Sequence, residues 1–250
     1  MIRGLPTPVA VAIAAAWVVA IAAQATGLAS YVHHDALLVG GPPLGLALIA
    51  FLLAWQVMIA AMMLPSSLPL VRLFAAASRR QPRSGTRVAA FLGGYALVWS
   101  VFGALALAFD LGVHLAVDSS GWLHERDWLI AGSVLAVAGA FEFTGLKDAC
   151  LRNCRLPEQF MLRHYRRGTG AAVLLGARHG AFCVGCCWAL MLVMFAVGVA
   201  SLMWMALLTA VMVHEKTHAT GRDAVPVTGA TLMVLAVVVV AGSAYQAGAI

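Results

Sequence analysis

Apolar residues run along the chain in blocks of about twenty, the length that a helix needs to cross the hydrocarbon core of a bilayer. Short segments between the blocks hold almost all of the polar and charged positions. This pattern predicts an all-α, polytopic bundle of about seven transmembrane helices. The predicted spans are residues 9–30, 44–64, 88–109, 128–146, 171–197, 202–213 and 227–248.

The segments between these blocks are too short for a further domain, so residues 1–250 are predicted to form a single integral membrane domain. Pro65 is predicted to end the second helix, because proline removes a helical hydrogen bond. The block at residues 202–213 is short for a span. A bundle of six helices, in which this block joins the preceding one as a re-entrant element, is the alternative. Within the longest connection, residues 156–165 are predicted to form an amphipathic helix on the membrane surface.

Charge sets the expected orientation of the bundle. The connections at residues 72–87 and 147–167 are rich in arginine, whereas the loops that hold His33 and His34, or Asp110 and His114, have few basic residues. Short basic loops stay in the cytoplasm, which predicts an N-terminus inside, a C-terminus outside and a place in the bacterial cytoplasmic membrane.

Composition agrees with a membrane protein and excludes some functions. The chain is 62% hydrophobic and 10% charged, whereas soluble domains have roughly a quarter of charged residues. The net charge of +6 therefore indicates topology and attraction to the lipid bilayer. No interleaving of aromatic and basic residues indicates a nucleic-acid partner.

The fifth block contains an unusual group of sulfur side chains. Cys183, Cys187, Met191 and Met194 follow one another at steps of four, four and three, which places them on one stripe of a helix. Cys186 lies beside this stripe. Soft sulfur ligands select Cu(I), zinc or iron–sulfur centres, although methionine and buried cysteine also serve as packing residues.

Two further groups of sulfur residues accompany this stripe. Met58 and Met62 are four residues apart in the second block and share a helix face. Cys150 and Cys154, also four apart, are compatible with a metal loop, a reversible thiol pair or a palmitoylation site. The odd count of five cysteines argues against a disulfide framework and for reduced thiols.

Charged residues near the ends of helices supply a second class of candidates. A carboxylate such as Glu142 within a span is costly, and a functional role or pairing with Lys147 or a loop arginine would explain it. His214, Glu215 and His218 fit the pattern H-E-x-x-H, in which two histidines bind zinc and the glutamate activates water. A polar cluster at the membrane edge is the alternative interpretation. The predicted topology brings all these residues towards the cytoplasmic leaflet.

Three segments together resemble a known family. Residues 55–66, 143–155 and 183–216 are similar to three ordered motifs of the bacterial predicted metal-binding integral membrane proteins, domain of unknown function 2182. The resemblance implies a multi-helix membrane protein that binds metal. Carried over by position, it implies roles for Met58, Met62, Met63, Lys147, Cys150, Cys154, Cys183, Cys186, Cys187, Met191, Glu215 and Lys216.

The sequence therefore predicts a transition-metal-binding membrane protein with a soft site, handling or transporting Cu(I), and with a metal donor or acceptor protein as partner. The expected metal ligands are Cys183, Cys186, Cys187, Met58, Met62 and Met191. The expected supporting or relay residues are Glu142, Cys150, Cys154, His179, His214, Glu215, Lys216 and His218. The alternatives are an intramembrane metalloenzyme, either a zinc peptidase or a metal-dependent oxidoreductase, and a structural partner whose helices simply pack.

Overall fold

The computed structural model describes residues 7–28, 43–79, 81–126, 128–197, 201–246 and 248. These residues form ten helices and no strand. The predicted loop with His33 and His34 and the predicted turn at Gly198 lie outside the described residues. In chain order the helices are α1 Thr7–Ala25, α2 Leu44–Ser78, α3 Ser84–Ser119, α4 Gly121–His124, α5 Trp128–Glu142, α6 Gly145–Arg155, α7 Pro157–His164, α8 Thr169–Val197, α9 Leu202–Thr217 and α10 Gly221–Gln246.

The helix lengths are consistent with a membrane protein. Five helices, α1, α2, α3, α8 and α10, are long and apolar enough to cross a bilayer. The consecutive helices α5 and α6 meet at an angle of 66° and qualify as a sixth span if they are taken together. With 16 residues, α9 is shorter than a typical span. The all-helical class is confirmed, and the count of seven and the orientation stay predictions.

The second helix does not end at Pro65, and this prediction is wrong. α2 continues through Pro65 and Pro69 to Ser78. Proline at position 65 cannot donate to the carbonyl of Ala61, and the indole of Trp17 on α1 donates to that carbonyl at 3.1 Å instead. Since a neighbouring helix satisfies the freed group, the helix remains continuous.

Other predicted boundaries also shift. The fourth predicted helix, residues 128–146, breaks after Glu142 and turns into α6, whose first turn is capped by the hydroxyl of Thr144. α3 extends past residue 109, so Asp110 and His114 lie on a helix and not in a loop. The short helix predicted at residues 156–165 is present as α7. The polar segment after Glu142 is therefore helical, because Thr144 caps α6 and α7 buries Phe160 and Met161.

α3 and α8 approach each other closely because a glycine on each helix faces the backbone of the other helix. A Cβ at Gly94 on α3 would overlap the carbonyl oxygen of Val173, and a Cβ at Gly176 on α8 would overlap that of Phe91. Small residues at such contacts let helices in membranes pack backbone to backbone. The close approach positions Tyr95, the neighbour of Gly94, against α8.

Replacing Gly94 with alanine is expected to destabilise the protein by about 1–3 kcal/mol, the usual cost of overpacking. Gly93 is the matched control, since a Cβ there meets no atom within 4 Å and alanine favours helix. Thermal unfolding of both variants in detergent measures the difference. Equal melting temperatures for Gly94→Ala and Gly93→Ala would contradict this account of the α3–α8 contact.

Several helix ends meet at one end of the bundle. The side chain of Gln81, between α2 and α3, donates to the hydroxyl of Tyr165 after α7 at 2.5 Å. Arg155 at the end of α6 donates to the carbonyl of His218, just after α9, at 2.8 Å. We call this the basic end, because it carries both arginine-rich connections, residues 72–87 and 147–167.

Candidate metal centre

Sulfur side chains dominate the core between α2, α6, α8 and α9. Cys183, Cys186, Met62 and Met191 are completely shielded from solvent, and Met58 is almost so. All of them belong to one continuous apolar cluster. The cysteines and methionines of this cluster are Cys154, Cys183, Cys186, Cys187, Met58, Met62, Met63, Met191, Met194, Met205 and Met212.

Four cysteines form a row of thiols across the contact between α6 and α8. The Sγ atoms of Cys154 and Cys186 are 3.8 Å apart, and those of Cys186 and Cys187 are 3.5 Å apart. Cys183 lies one turn before Cys187 on the same helix, and the thiol of Cys186 donates to the backbone carbonyl of Cys183 at 3.3 Å. We call these four residues the thiol row, and all are free cysteines.

Gly185 makes room for α6 beside the thiol row. A Cβ at this position would lie 2.6 Å from the Sγ of Cys150. The glycine therefore lets α6 approach α8 closely enough for Cys154 to reach Cys186. Cys150 is only partly buried and lies on the outer side of the row.

Polar side chains bond to the end of the thiol row at Cys183. The hydroxyl of Tyr95 lies 3.1 Å from the Sγ of Cys183. The hydroxyl of Ser67 donates to that of Tyr95 at 3.3 Å, and it lies 3.1 Å from the Nε2 of His179. All four residues are buried. This network holds Cys183 in place by contacts from both α2 and α3.

Lys216 brings a positive charge to the same sulfur. Its Nζ donates to the Sγ of Cys183 at 3.2 Å and to the hydroxyl of Ser66 at 3.2 Å. The residue is 4% exposed, and none of the described carboxylates forms an ion pair with it. A buried ammonium without an acidic partner is costly, so the site holds a cation ready to compensate negative charge on sulfur.

A separate ionic cluster lies next to Lys216 along α9. Lys147 on α6 pairs with Glu142 on α5 and, at 2.8 Å, with Glu215 on α9. All three side chains are at most 1% exposed, and the pairing with Lys147 is one of the explanations for Glu142 that the sequence left open. Among the described residues, neither oxygen of Glu142 and only one oxygen of Glu215 has a hydrogen-bond partner, although Oε2 of Glu142 lies in ion-pair contact with Lys147. The cluster joins α5, α6 and α9 around the thiol row.

The geometry of the H-E-x-x-H segment does not favour a zinc peptidase. Glu215 turns into the core towards Lys147, whereas His214 and His218 stack on each other, with ring centroids 4.8 Å apart, outside it. α9 ends at Thr217, so His218 lies beyond the helix. A glutamate bound to an ammonium and turned away from both histidines cannot activate water on a zinc ion held by them.

Sequence reasoning did not select several residues of the site. Tyr95 lies in a run of small residues, Ser66 and Ser67 follow a proline, and Arg155 is one of many arginines. Two adjacent serines within a span are a usable signal, since hydroxyls buried in a membrane need partners. Arg155 donates to the carbonyl of Glu215 in the last turn of α9 and to those of His218 and Ala219 after it.

The donor set fits a soft ion held by few ligands. Among the described residues, no group of three or more His, Cys, Asp or Glu side chains is placed to hold a metal ion. The thiol row instead offers pairs of neighbouring sulfurs, Cys154 with Cys186 and Cys186 with Cys187, and methionines belong to the same core cluster. Thiolate and thioether donors of this kind suit Cu(I).

Comparison with known proteins agrees with this chemistry. The model of the PpoB2 family, described as copper chaperone, matches residues 52–239, which is most of the chain. The matched region includes every residue of the thiol row, the surrounding methionines, Lys216 and the ionic cluster. No curated protein and no solved structure shows a significant match.

Proposed function

Because the chain belongs to the copper chaperone family PpoB2, we propose that it binds Cu(I) within its core and passes the ion to or from a partner protein. The proposed primary ligands are Cys183, Cys186 and Cys187, with Met58, Met62 and Met191 as weaker thioether ligands. The observation that carries the proposal is the thiol row, in which sulfurs from two helices lie within 4 Å of one another.

Lys216 can compensate part of the charge of a Cu(I)–thiolate centre. Three thiolates around Cu(I) would leave a net charge of −2, and the ammonium of Lys216 at 3.2 Å from Cys183 would offset one of these two charges. Tyr95 can donate its hydroxyl to the thiolate of Cys183, a charge-assisted hydrogen bond that is stronger than one to a thiol.

The solvent exposure of the cysteines suggests the route by which the copper ion enters the protein. Cys150 is partly buried, and Cys154 beside it contacts Cys186. We propose that these two cysteines on α6 receive the ion at the basic end and deliver it to α8. By the positive-inside rule this end faces the cytoplasm. The protein then acts as one integral membrane domain of the bacterial cytoplasmic membrane, and a soluble copper donor or acceptor meets it at α6.

Substituting serine for both Cys183 and Cys187 is expected to abolish stoichiometric copper, because a hydroxyl is a poor ligand for Cu(I). Protein loaded anaerobically with Cu(I), desalted and analysed by elemental mass spectrometry provides the measurement. The matched control is Ala177→Ser with Ala181→Ser, two hydroxyls at the same spacing on less buried positions of α8.

Equal copper content in the cysteine variant and the wild type would refute the proposal. Size-exclusion elution of both variants checks that the fold is intact. A third variant, His214→Ala with His218→Ala, should keep its copper. Loss of copper from this variant alone would instead place the metal at His214 and His218.

A further inference from the structure

A cleft at the basic end belongs neither to the thiol row nor to the ionic cluster. It lies where α6 passes into α7 and has a volume of about 360 Å³. Leu156 and the buried ring of Phe160 give it an apolar wall. Arg152 from α6 and Arg163 from α7 line it from either side.

The positive charge of this cleft is largely uncompensated. Arg163 forms no ion pair with any described residue. Arg152 meets Asp148 only at 3.6 Å, with both side chains about half exposed, and the same carboxylate also contacts Arg222 at 3.3 Å. An exposed pair of this length contributes little, so both guanidinium groups remain available to an anion.

The cleft also lies where lipid headgroups are expected. α7 buries Phe160 and Met161, but Leu162 next to Arg163 is 87% exposed, as in helices that lie in the membrane interface. Arg166 and Arg167 follow directly. Gln81 ties this segment to the arginine-rich turn between α2 and α3.

We propose that the cleft binds the phosphate group of an anionic membrane lipid. The two guanidinium groups donate to the phosphate oxygens in the fork geometry that arginine favours. The lipid's glycerol and the start of its acyl chains lie against Phe160 and Leu156, and Leu162 enters the same leaflet. Basic pockets between helices at the cytoplasmic membrane face are suited to such headgroups. A bound lipid would hold α6, which carries Cys150 and Cys154, against α7.

Titration of detergent-purified protein with short-chain phosphatidylglycerol, followed by native mass spectrometry, tests the proposal. The wild type should bind this lipid and discriminate against phosphatidylcholine. The variant Arg152→Gln with Arg163→Gln should bind phosphatidylglycerol about 30-fold more weakly, from the usual gain for each basic residue near an anionic lipid. The double variant should keep its copper, since neither Arg152 nor Arg163 contacts the thiol row.

Arg126→Gln is the control, because it removes an arginine at the opposite end of the bundle. It should bind phosphatidylglycerol as the wild type does. Equal affinity of the wild type for both lipids, or equal weakening in the control and the cleft variant, would overturn the proposal. Inorganic phosphate is the third probe. If it binds the cleft as well as the lipid does, the site is for a free anion and the proposed lipid is wrong.

Discussion

Replacing Lys147 with methionine is expected to destabilise the protein by about 3–5 kcal/mol, the usual cost of removing one partner from a buried ion pair. Lys147 is completely buried between Glu142 and Glu215. Without its ammonium, two carboxylates would face each other in the core, and three of their four oxygens already lack a hydrogen-bond partner among the described residues. Thermal unfolding in detergent, monitored by circular dichroism, should show a large decrease in melting temperature.

The triple variant Glu142→Gln, Lys147→Met, Glu215→Gln is the decisive comparison. It removes all the charges together and should recover most of the lost stability, because the penalty comes from unpaired charge and not from lost contacts. Arg178→Met, an exposed position on α8, should change stability by no more than about 0.5 kcal/mol. A Lys147→Met variant that melts with the wild type would contradict the structure of the ionic cluster.

Replacing Lys216 with methionine is expected to lower Cu(I) affinity by about 10- to 100-fold, the usual effect of removing a group that supports a metal ligand. Lys216 contacts the sulfur of Cys183, and its charge would partly offset that of the proposed copper–thiolate centre. Competition with a chelator of known Cu(I) affinity measures the change. Copper stoichiometry at saturation should stay the same, because the sulfur ligands remain.

The same substitution should leave the metal-free protein as stable as before or more so. In that state the ammonium is buried without a carboxylate partner, and methionine removes this cost. Opposite signs for stability and affinity separate a role in metal binding from a structural role. Thr217→Met, at the next and exposed position, is the control. An unchanged Cu(I) affinity in Lys216→Met would remove the charge-balance part of the proposed function.

Hydrophobic blocks predicted the helices well, but not where they end. Pro65 should have ended α2 on local grounds, but the indole of Trp17 from another helix bonds to the carbonyl that the proline leaves free, and α2 continues. The break after Glu142 lies within a largely apolar run that also contains Gly132 and Gly139, where α5 continues unbroken, so glycine alone does not mark the break. Helix ends in this protein are decided by tertiary partners, which a single sequence does not display.

The sequence predicted which residue types would form the candidate site, but not which of those residues contact one another. Helical spacing identified Cys183 and Cys187 as candidate residues, and the cost of a buried carboxylate identified Glu142. The contacts between Cys154 and Cys186, or between Lys216 and Cys183, join residues more than 30 positions apart. No periodicity encodes such contacts, because they depend on how α6 and α9 pack on α8.

The complete burial of the thiol row has a consequence for kinetics. Cys183, Cys186 and Cys187 are at most 1% exposed, and α6 covers them after the 66° turn from α5. If, as proposed, Cys150 and Cys154 pass copper from a donor protein to α8, transfer from α6 to these buried sulfurs limits loading. The loading rate should then rise with donor concentration and level off at the rate of that transfer. Release through the same two cysteines should share this limit, so the residence time of the ion would depend on the contact between α6 and α8 as well as on its bonds to sulfur.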